Sequence, residues 1–174
     1  GKSAIIAEKI VATLNSTGSP AVFMHAADAI HGDLGIVRKN DVVICLSKSG
    51  NTPEIKVLVP YIKKMGNSLV AFVSNTDSFL AIQADIVIKT TVDKEACPYN
   101  LAPTSSTTAQ LVMGDALAVA LLDIKEFTDD DFAKYHPGGA LGKRLYLRVK
   151  DLYILNDKPL VYENDKIKDV IVEI

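Results

Sequence analysis

The residues most able to do chemistry fall in three polar stretches of this 174-residue chain. The first is Ser47-Lys48-Ser49-Gly50-Asn51-Thr52, which follows the apolar run Val42–Leu46 and precedes Pro53-Glu54. A buried strand, a turn of hydroxyls and glycine, and a helix start in succession gather free N–H groups at the positive end of a helix dipole. Ser47, Ser49 and Thr52 add hydroxyl donors, and Gly50 lets the backbone come close to a ligand. That chemistry suits a phosphate; the plainer reading is a strand-to-helix turn with a hydroxyl cap. The second stretch is irregular, Thr90 to Pro103, and holds Glu95, a carboxylate with little structural reason to be there. The third is His136-Pro137-Gly138-Gly139. With His31 and Glu54, these supply the acid–base candidates, although Glu54 is favoured at a helix start by the dipole alone. Lys2 and Ser3 stand at another helix start, where Gly-Lys-Ser is similar to the end of a nucleotide-binding loop. No strand runs out into the acidic residue that a nucleotide hydrolase needs, so Lys2 better suits a point-charge contact to a phosphate or sugar oxygen.

The elements that must position these residues alternate. Ala4–Ser16 has apolar residues at helical spacing and stops at Gly18 and Pro20. Ala21–Met24 reads as a strand ending in His25, followed by a short helix or turn over Ala26–Leu34. Val42–Leu46, Leu69–Val73 and Ile86–Ile88 read as three further strands, with helices over Glu54–Met65 and around Ser78–Gln83 between them. Four strands joined by helices imply βαβ units and a parallel sheet, whose C-terminal edge carries His25, Ser47–Thr52 and Ser74–Asp77. A chain that opens on a helix start also implies a strand upstream of Gly1. Thr104–Leu122 reads as a long helix, apolar most of the way round, which would pack on another subunit as well as its own core. Thr128–Tyr135 is short and acidic, and Ala140–Leu147 resumes as a helix after the Gly-Gly break. From Asp151 to Ile174 the pattern changes, with too little chain to bury a core.

Composition narrows the function classes. The formal charge is −2 with scattered basic residues, so nucleic acid is not an expected partner. Two cysteines make no disulfide framework; Cys45 sits within a core strand. No apolar run approaches the length of a membrane span and no signal peptide is visible, so a soluble cytoplasmic protein is expected. No histidine or cysteine pair has metal-ligand spacing, and no nucleophile elbow is present.

Together the motifs resemble the sugar isomerase (SIS) domain, and within it the D-arabinose 5-phosphate isomerases. The resemblance rests on Gly1-Lys2-Ser3, His31–Gly35, Ser47–Ile55, the block Glu95–Leu122 and His136–Leu145, in that order over about 150 residues. It implies a three-layer α/β/α sandwich with a parallel, flavodoxin-like sheet over residues 1–147. Residues 148–174 are similar to the opening of a CBS module. The family interconverts D-ribulose 5-phosphate and D-arabinose 5-phosphate through a cis-enediolate, supplying 3-deoxy-D-manno-octulosonate for lipopolysaccharide or capsule. No cofactor or metal is required. The resemblance makes Lys2, Glu54, Glu95 and His136 catalytic. Substrate binding falls to Ser3, His31, Ser47, Ser49, Gly50, Asn51, Thr52, Thr104, Ser105 and Ser106. Lys48 and Asn51 occupy places that vary in the family. Glu95 or His136 is the proton-transfer base, Lys2 the electrostatic group, and Glu54 orients it or moves hydroxyl protons. A homotetramer with sites shared between subunits is implied, with a nucleotide or nucleotide sugar as a regulator of the CBS region. The alternative is a SIS module that senses a phosphosugar or nucleotide sugar without transforming it. Having Lys2, Glu54, Glu95 and His136 together favours the enzyme.

Overall fold

Strand β2, Ser68–Val73, is buried at every position after its first, and the sheet is built around it. It lies between β1 (Val42–Leu46) and β3 (Ile86–Lys89), all three parallel, with Ile44 opposite Val70 and Val70 opposite Ile86. The computed structural model describes residues 1–149, 151 and 160–173. The chain divides into two units, Gly1–Phe127 and Thr128–Ile174.

Within the first unit, side-chain alternation along the strands sends residues to two cores. Leu69, Ala71 and Val73 face one side with Cys45, against α3 (Pro53–Met65), α4 (Phe79–Gln83) and the short α2 (Ala26–Ala29). Burial there pushes the Cys45 thiol up to about 12, so it is inert core. Val70 and Phe72 face the other side with Ile44, Leu46 and Ile88, against α1 (Lys2–Ser16) and α5 (Ser105–Ile124). The result is a three-layer α/β/α sandwich on a parallel sheet. Helices α3 and α4 carry the chain across the same face between consecutive strands, so every strand delivers its C-terminal end to one edge.

Helix α3 shows how sequence fixes an element. Pro53 takes the first helical position, where its missing N–H costs nothing. Ile55, Leu58, Val59 and Ile62 form the buried stripe, and Lys63 and Lys64 lie in the last turn where the dipole favours cations. Gly66, at φ 80°, ends the helix in the left-handed conformation.

Two expectations need correction. Ala21–Met24 is not a strand: the side-chain amide of Asn15 donates to the Ala21 carbonyl at 3.0 Å and accepts from its N–H at 2.7 Å. Those are the backbone groups a ladder would use, and Val22 is left 76% exposed. The described sheet therefore has three strands rather than four. Helix α5, at 20 residues, is also long and apolar enough by length and composition to cross a membrane, where no such run was expected. Its buried stripe is Ser106, Gln110, Gly114 and Ala118, one residue per turn, and Ala118 joins the core around Ile10.

The second unit contains α6 (Asp129–Tyr135), α7 (Ala140–Tyr146) and a helix over Ile167–Glu173. A capping box opens α6: the Thr128 hydroxyl accepts from the Asp131 N–H, and the Asp131 carboxylate accepts from the Thr128 N–H. Part of the stretch compared with a CBS module, 150, 152–159 and 174, lies outside the described residues.

Gly114 sets the spacing of α1 and α5. A Cβ there would sit 2.3 Å from both Cγ1 and Cδ1 of Ile10, itself only 3% exposed. Gly114→Val should therefore destabilise the chain by about 1–3 kcal/mol through overpacking. Adding Ile10→Ala should restore part of the loss. Urea midpoints check both; a Gly114→Val protein as stable as the parent contradicts the close packing.

Candidate active site

The turn after β1 is held open by its own hydrogen bonds. Ser47 is buried, and its N–H donates to the Phe72 carbonyl at 3.0 Å. Its hydroxyl accepts from the Gly50 N–H at 3.1 Å and pairs with the Thr52 hydroxyl at 2.9 Å. Thr52 is the N-cap residue of α3, yet its side chain caps nothing in the helix because it is turned towards Ser47. The first N–H groups of α3 are thus left without a side-chain acceptor at the dipole's positive end, which is an anion-binding arrangement.

Gly50 is needed twice over. Its φ is +63°, and a Cβ would lie 2.0 Å from the Ser78 hydroxyl oxygen. Asn51 ties the turn to α4 by accepting from the Phe79 N–H at 3.2 Å, while its own N–H donates to the Ser49 hydroxyl.

Glu95 organises the second group. It is 2% exposed, and both carboxylate oxygens are engaged. Oε2 accepts from the Thr104 N–H at 2.8 Å and the Ser106 N–H at 3.1 Å, so the carboxylate caps the start of α5. Oε1 accepts from the Ser106 hydroxyl at 2.5 Å and from the Lys48 ammonium at 2.6 Å. The backbone that carries Glu95 is pinned as well: its N–H donates to Asn100 Oδ1 at 2.6 Å, and the Ala96 N–H donates to the Thr104 hydroxyl at 2.8 Å. Lys48 first, then Ser106 and Thr104, hold the Glu95 carboxyl well below the usual carboxylate range, against the opposing effect of burial.

A cavity of about 610 Å³ opens beside this helix start, with Thr90, Ala96, Thr104, Ser105 and Thr108 in its wall. The Thr90 hydroxyl is buried there without a hydrogen-bond partner.

The structure thus brings Ser47, Thr52, Glu95, Thr104 and Ser106 into one connected set, with Lys48 as the link between the two loops. Glu54 lies half-buried in the first turn of α3. Lys2 and Ser3 stand in the first turn of α1, and His31 is exposed in the turn after α2. Among the described residues, no hydrogen bond joins Lys2, Ser3, His31 or Glu54 to this set. No three His, Cys, Asp or Glu side chains among the described residues converge as metal ligands.

His136 belongs to the second unit, at the C-terminal end of α6. Its ring stacks on Phe132 with centroids 3.8 Å apart, and Nδ1 lies 2.8 Å from the Phe132 carbonyl. A carbonyl only accepts, so Nδ1 is the donor, and in the neutral tautomer the lone pair lies on Nε2. The following turn is tight: a Cβ at Gly142 would meet the His136 carbonyl oxygen at 2.2 Å.

Two contributors are not evident from sequence: Lys48 occupies a place that varies in the family, and Asn100 lies in an irregular stretch with no motif of its own. A buried glutamate in an irregular stretch needs a cation and several donors, and Lys48 is the basic residue inside the hydroxyl turn.

The depressed Glu95 pKa fixes the sign of a pH effect. An unfolded glutamate titrates near about 4.3, and the folded group lies lower. Its contribution to stability is therefore complete above that unfolded value and is lost as pH falls below it. In urea unfolding from pH 7 down to 3, Glu95→Gln should lose less stability on acidification than the parent. Equal losses in the two proteins would contradict an ionised, donor-saturated Glu95.

Residues 1–120 match the family model of the SIS domain. The arabinose 5-phosphate isomerase KdsD of Pseudomonas aeruginosa is 55% identical over 152 residues, covering 87% of this chain and 47% of that protein. The enzyme of the same name from Francisella tularensis is 50% identical over 175 residues, covering 100% of this chain and 54% of its own. The chain therefore spans about half the length of the curated relatives it matches. Among solved structures, E. coli CFT073 c3406 in complex with arabinose 5-phosphate superposes with a TM-score of 0.77 at 51% identity, covering 79% of this chain and 73% of that one. With a connected hydroxyl turn at the sheet edge and a family match over most of its length, this chain belongs to the SIS domain family.

Proposed function

We propose that the chain is the SIS portion of an arabinose 5-phosphate isomerase, an aldose–ketose isomerase acting on D-arabinose 5-phosphate and D-ribulose 5-phosphate. One observation carries the reading: a buried, ionised carboxylate, Glu95, is tied through Lys48 to the anion-binding turn at the start of α3. A phosphosugar isomerase needs those two parts, an anchor for the phosphate and a base at a fixed distance from it. The relatives named above as arabinose 5-phosphate isomerases and the neighbour solved with that sugar phosphate support the choice of substrate.

The phosphate is assigned to Ser47, Ser49, Gly50 and Thr52 at the α3 N-terminus, with Asn51 shaping the turn. Ser3, His31, Thr104, Ser105 and Ser106 complete the substrate-binding set. Anchoring the phosphate supplies binding energy remote from the reacting carbons and fixes their position. Starting from the aldose, Glu95 removes the C2 proton of the open-chain sugar. The C–H electron pair forms the C1–C2 double bond, and the carbonyl oxygen O1 gains the negative charge. The proton returns to C1 as the O2 hydroxyl passes its own proton to O1, so that O1 ends as a hydroxyl and O2 as the new carbonyl. Lys2 stabilises the developing oxyanion, and Glu54 orients it or passes hydroxyl protons. His136, whose Nδ1 is engaged by the Phe132 carbonyl and which would act through Nε2, is a second acid–base residue and the alternative to Glu95 as base.

The wider assignment is a cytoplasmic enzyme, assembled as a homotetramer with sites shared between subunits. It would feed 3-deoxy-D-manno-octulosonate synthesis for lipopolysaccharide or capsule. Residues 148–174 would begin a CBS module responsive to a nucleotide or nucleotide sugar.

The full-length protein incubated with arabinose 5-phosphate in deuterated water should form ribulose 5-phosphate and place deuterium on the carbon beside the carbonyl. Absence of both turnover and exchange overturns the enzyme reading. Glu95→Gln should lower kcat by about 10²–10⁴-fold. His136→Ala should also lower turnover strongly while the protein stays folded by circular dichroism; a parental rate in that variant removes His136 from the mechanism.

A further inference from the structure

A base held as Glu95 is held has a difficulty. Five hydrogen bonds stabilise its charged form, which makes a carboxylate a poor proton acceptor. Four of the five come from Thr104 and Ser106 at the start of α5: two are backbone N–H groups fixed by the helix, and two are hydroxyls, of which that of Ser106 is only 2% exposed. The fifth comes from Lys48, whose side chain is 47% exposed while that of Glu95 is 1% exposed. Lys48 is thus the one charged partner, and its exposed side chain can swing away without disturbing the helix. It also stands between Ser47 and Ser49, in the turn that presents the uncapped N–H groups of α3.

We infer that Lys48 couples phosphate binding to the base: it pairs with Glu95 in the free protein and is drawn onto the substrate's phosphate in the complex. The inference rests on the phosphosugar reading above and adds to it a residue that the family resemblance leaves variable. A bound phosphate dianion beside the turn attracts an ammonium more strongly than a single carboxylate does at similar distance. Lys48 is the charged group that faces Glu95 among the described residues; the other groups against it, Thr104, Ser106 and Asn100, are neutral. When Lys48 leaves, Glu95 keeps its helix-capping bonds and loses its cation. Its affinity for a proton rises only once the phosphate is seated. Lys48 then acts on the reaction as a positioning residue, and an unphosphorylated sugar would meet a weak base.

The test compares the parent chain with Lys48→Met and Lys48→Arg by carboxyl-carbon NMR of glutamate-labelled full-length protein, the Glu95 resonance being assigned by its loss in Glu95→Gln. Saturating inorganic phosphate should raise the parent's Glu95 midpoint by about one pH unit or more. In Lys48→Met the midpoint should already be raised, and phosphate should move it little; Lys48→Arg should restore the parental response. In turnover of arabinose 5-phosphate, the acid limb of kcat/KM should move to higher pH in Lys48→Met, while the limb of kcat, which reports the complex, should stay near the parental position. Phosphate that binds, by its effect on the turn's amide signals, without moving the Glu95 titration overturns the coupling and leaves the isomerase reading standing. Phosphate that fails to bind the parent chain at all overturns both. A lower melting temperature in Lys48→Met alongside an unchanged Glu95 titration assigns Lys48 a merely structural role and also overturns the coupling.

Discussion

The interaction on which the site depends is the cap that Glu95 places on helix α5. A helix start exposes N–H groups that a buried setting must satisfy. Here the N-cap residue, Thr104, does not satisfy them with its own side chain. The carboxylate of Glu95, nine residues upstream of Thr104, does so instead. This converts the irregular stretch before α5 into a fixed structure, because Asn100 accepts from the Glu95 N–H and Thr104 from the next one, that of Ala96. It also buries a negative charge that would be costly without its donors and without Lys48. The reactive candidate and the local architecture are therefore one feature.

The sheet determines where that feature sits. Two helical crossovers on one face bring each parallel strand's C-terminal end to a common edge, and the hydroxyl turn follows β1 at that edge. Helices α3 and α5 both lack a cap from the side chain of their own N-cap residue, with different outcomes. Their neighbours α4 and α6 are capped by Ser78 and Thr128 in the ordinary manner. In α5 the cap is a distant carboxylate, and in α3 the cap residue's hydroxyl is diverted to Ser47. Of these four helices, α3 is the one left ready for an anion from solution, and the phosphate is assigned there for that reason.

Much of this was legible in the sequence, for identifiable reasons. β1, β2 and α3 were readable because each has an unambiguous apolar pattern and clear end signals, such as Pro53 and Gly66. The hydroxyl turn was readable because serine, glycine and threonine after a buried strand have few other uses. Ala21–Met24 was misread because strand propensity says nothing of competition from Asn15, six residues before Ala21. The role of Lys48 was illegible for a related reason. Its partner lies 47 residues away in an irregular segment, and no periodicity reports a contact of that kind. His136 illustrates a third case: the Pro-Gly-Gly signal marked a turn, but the tautomer follows only from seeing the Phe132 carbonyl beside Nδ1.

On the proposed reading, one edge of the sheet holds a phosphate at the α3 N-terminus and a sugar carbon at Glu95. A crystal structure of the full-length protein with bound arabinose 5-phosphate tests it most directly. Phosphate oxygens should lie on the Ser47–Thr52 turn, with C1 or C2 of the open-chain sugar within about 3.5 Å of a Glu95 carboxylate oxygen. A phosphate seated elsewhere, or a sugar whose C1 and C2 lie beyond the reach of Glu95, would contradict it.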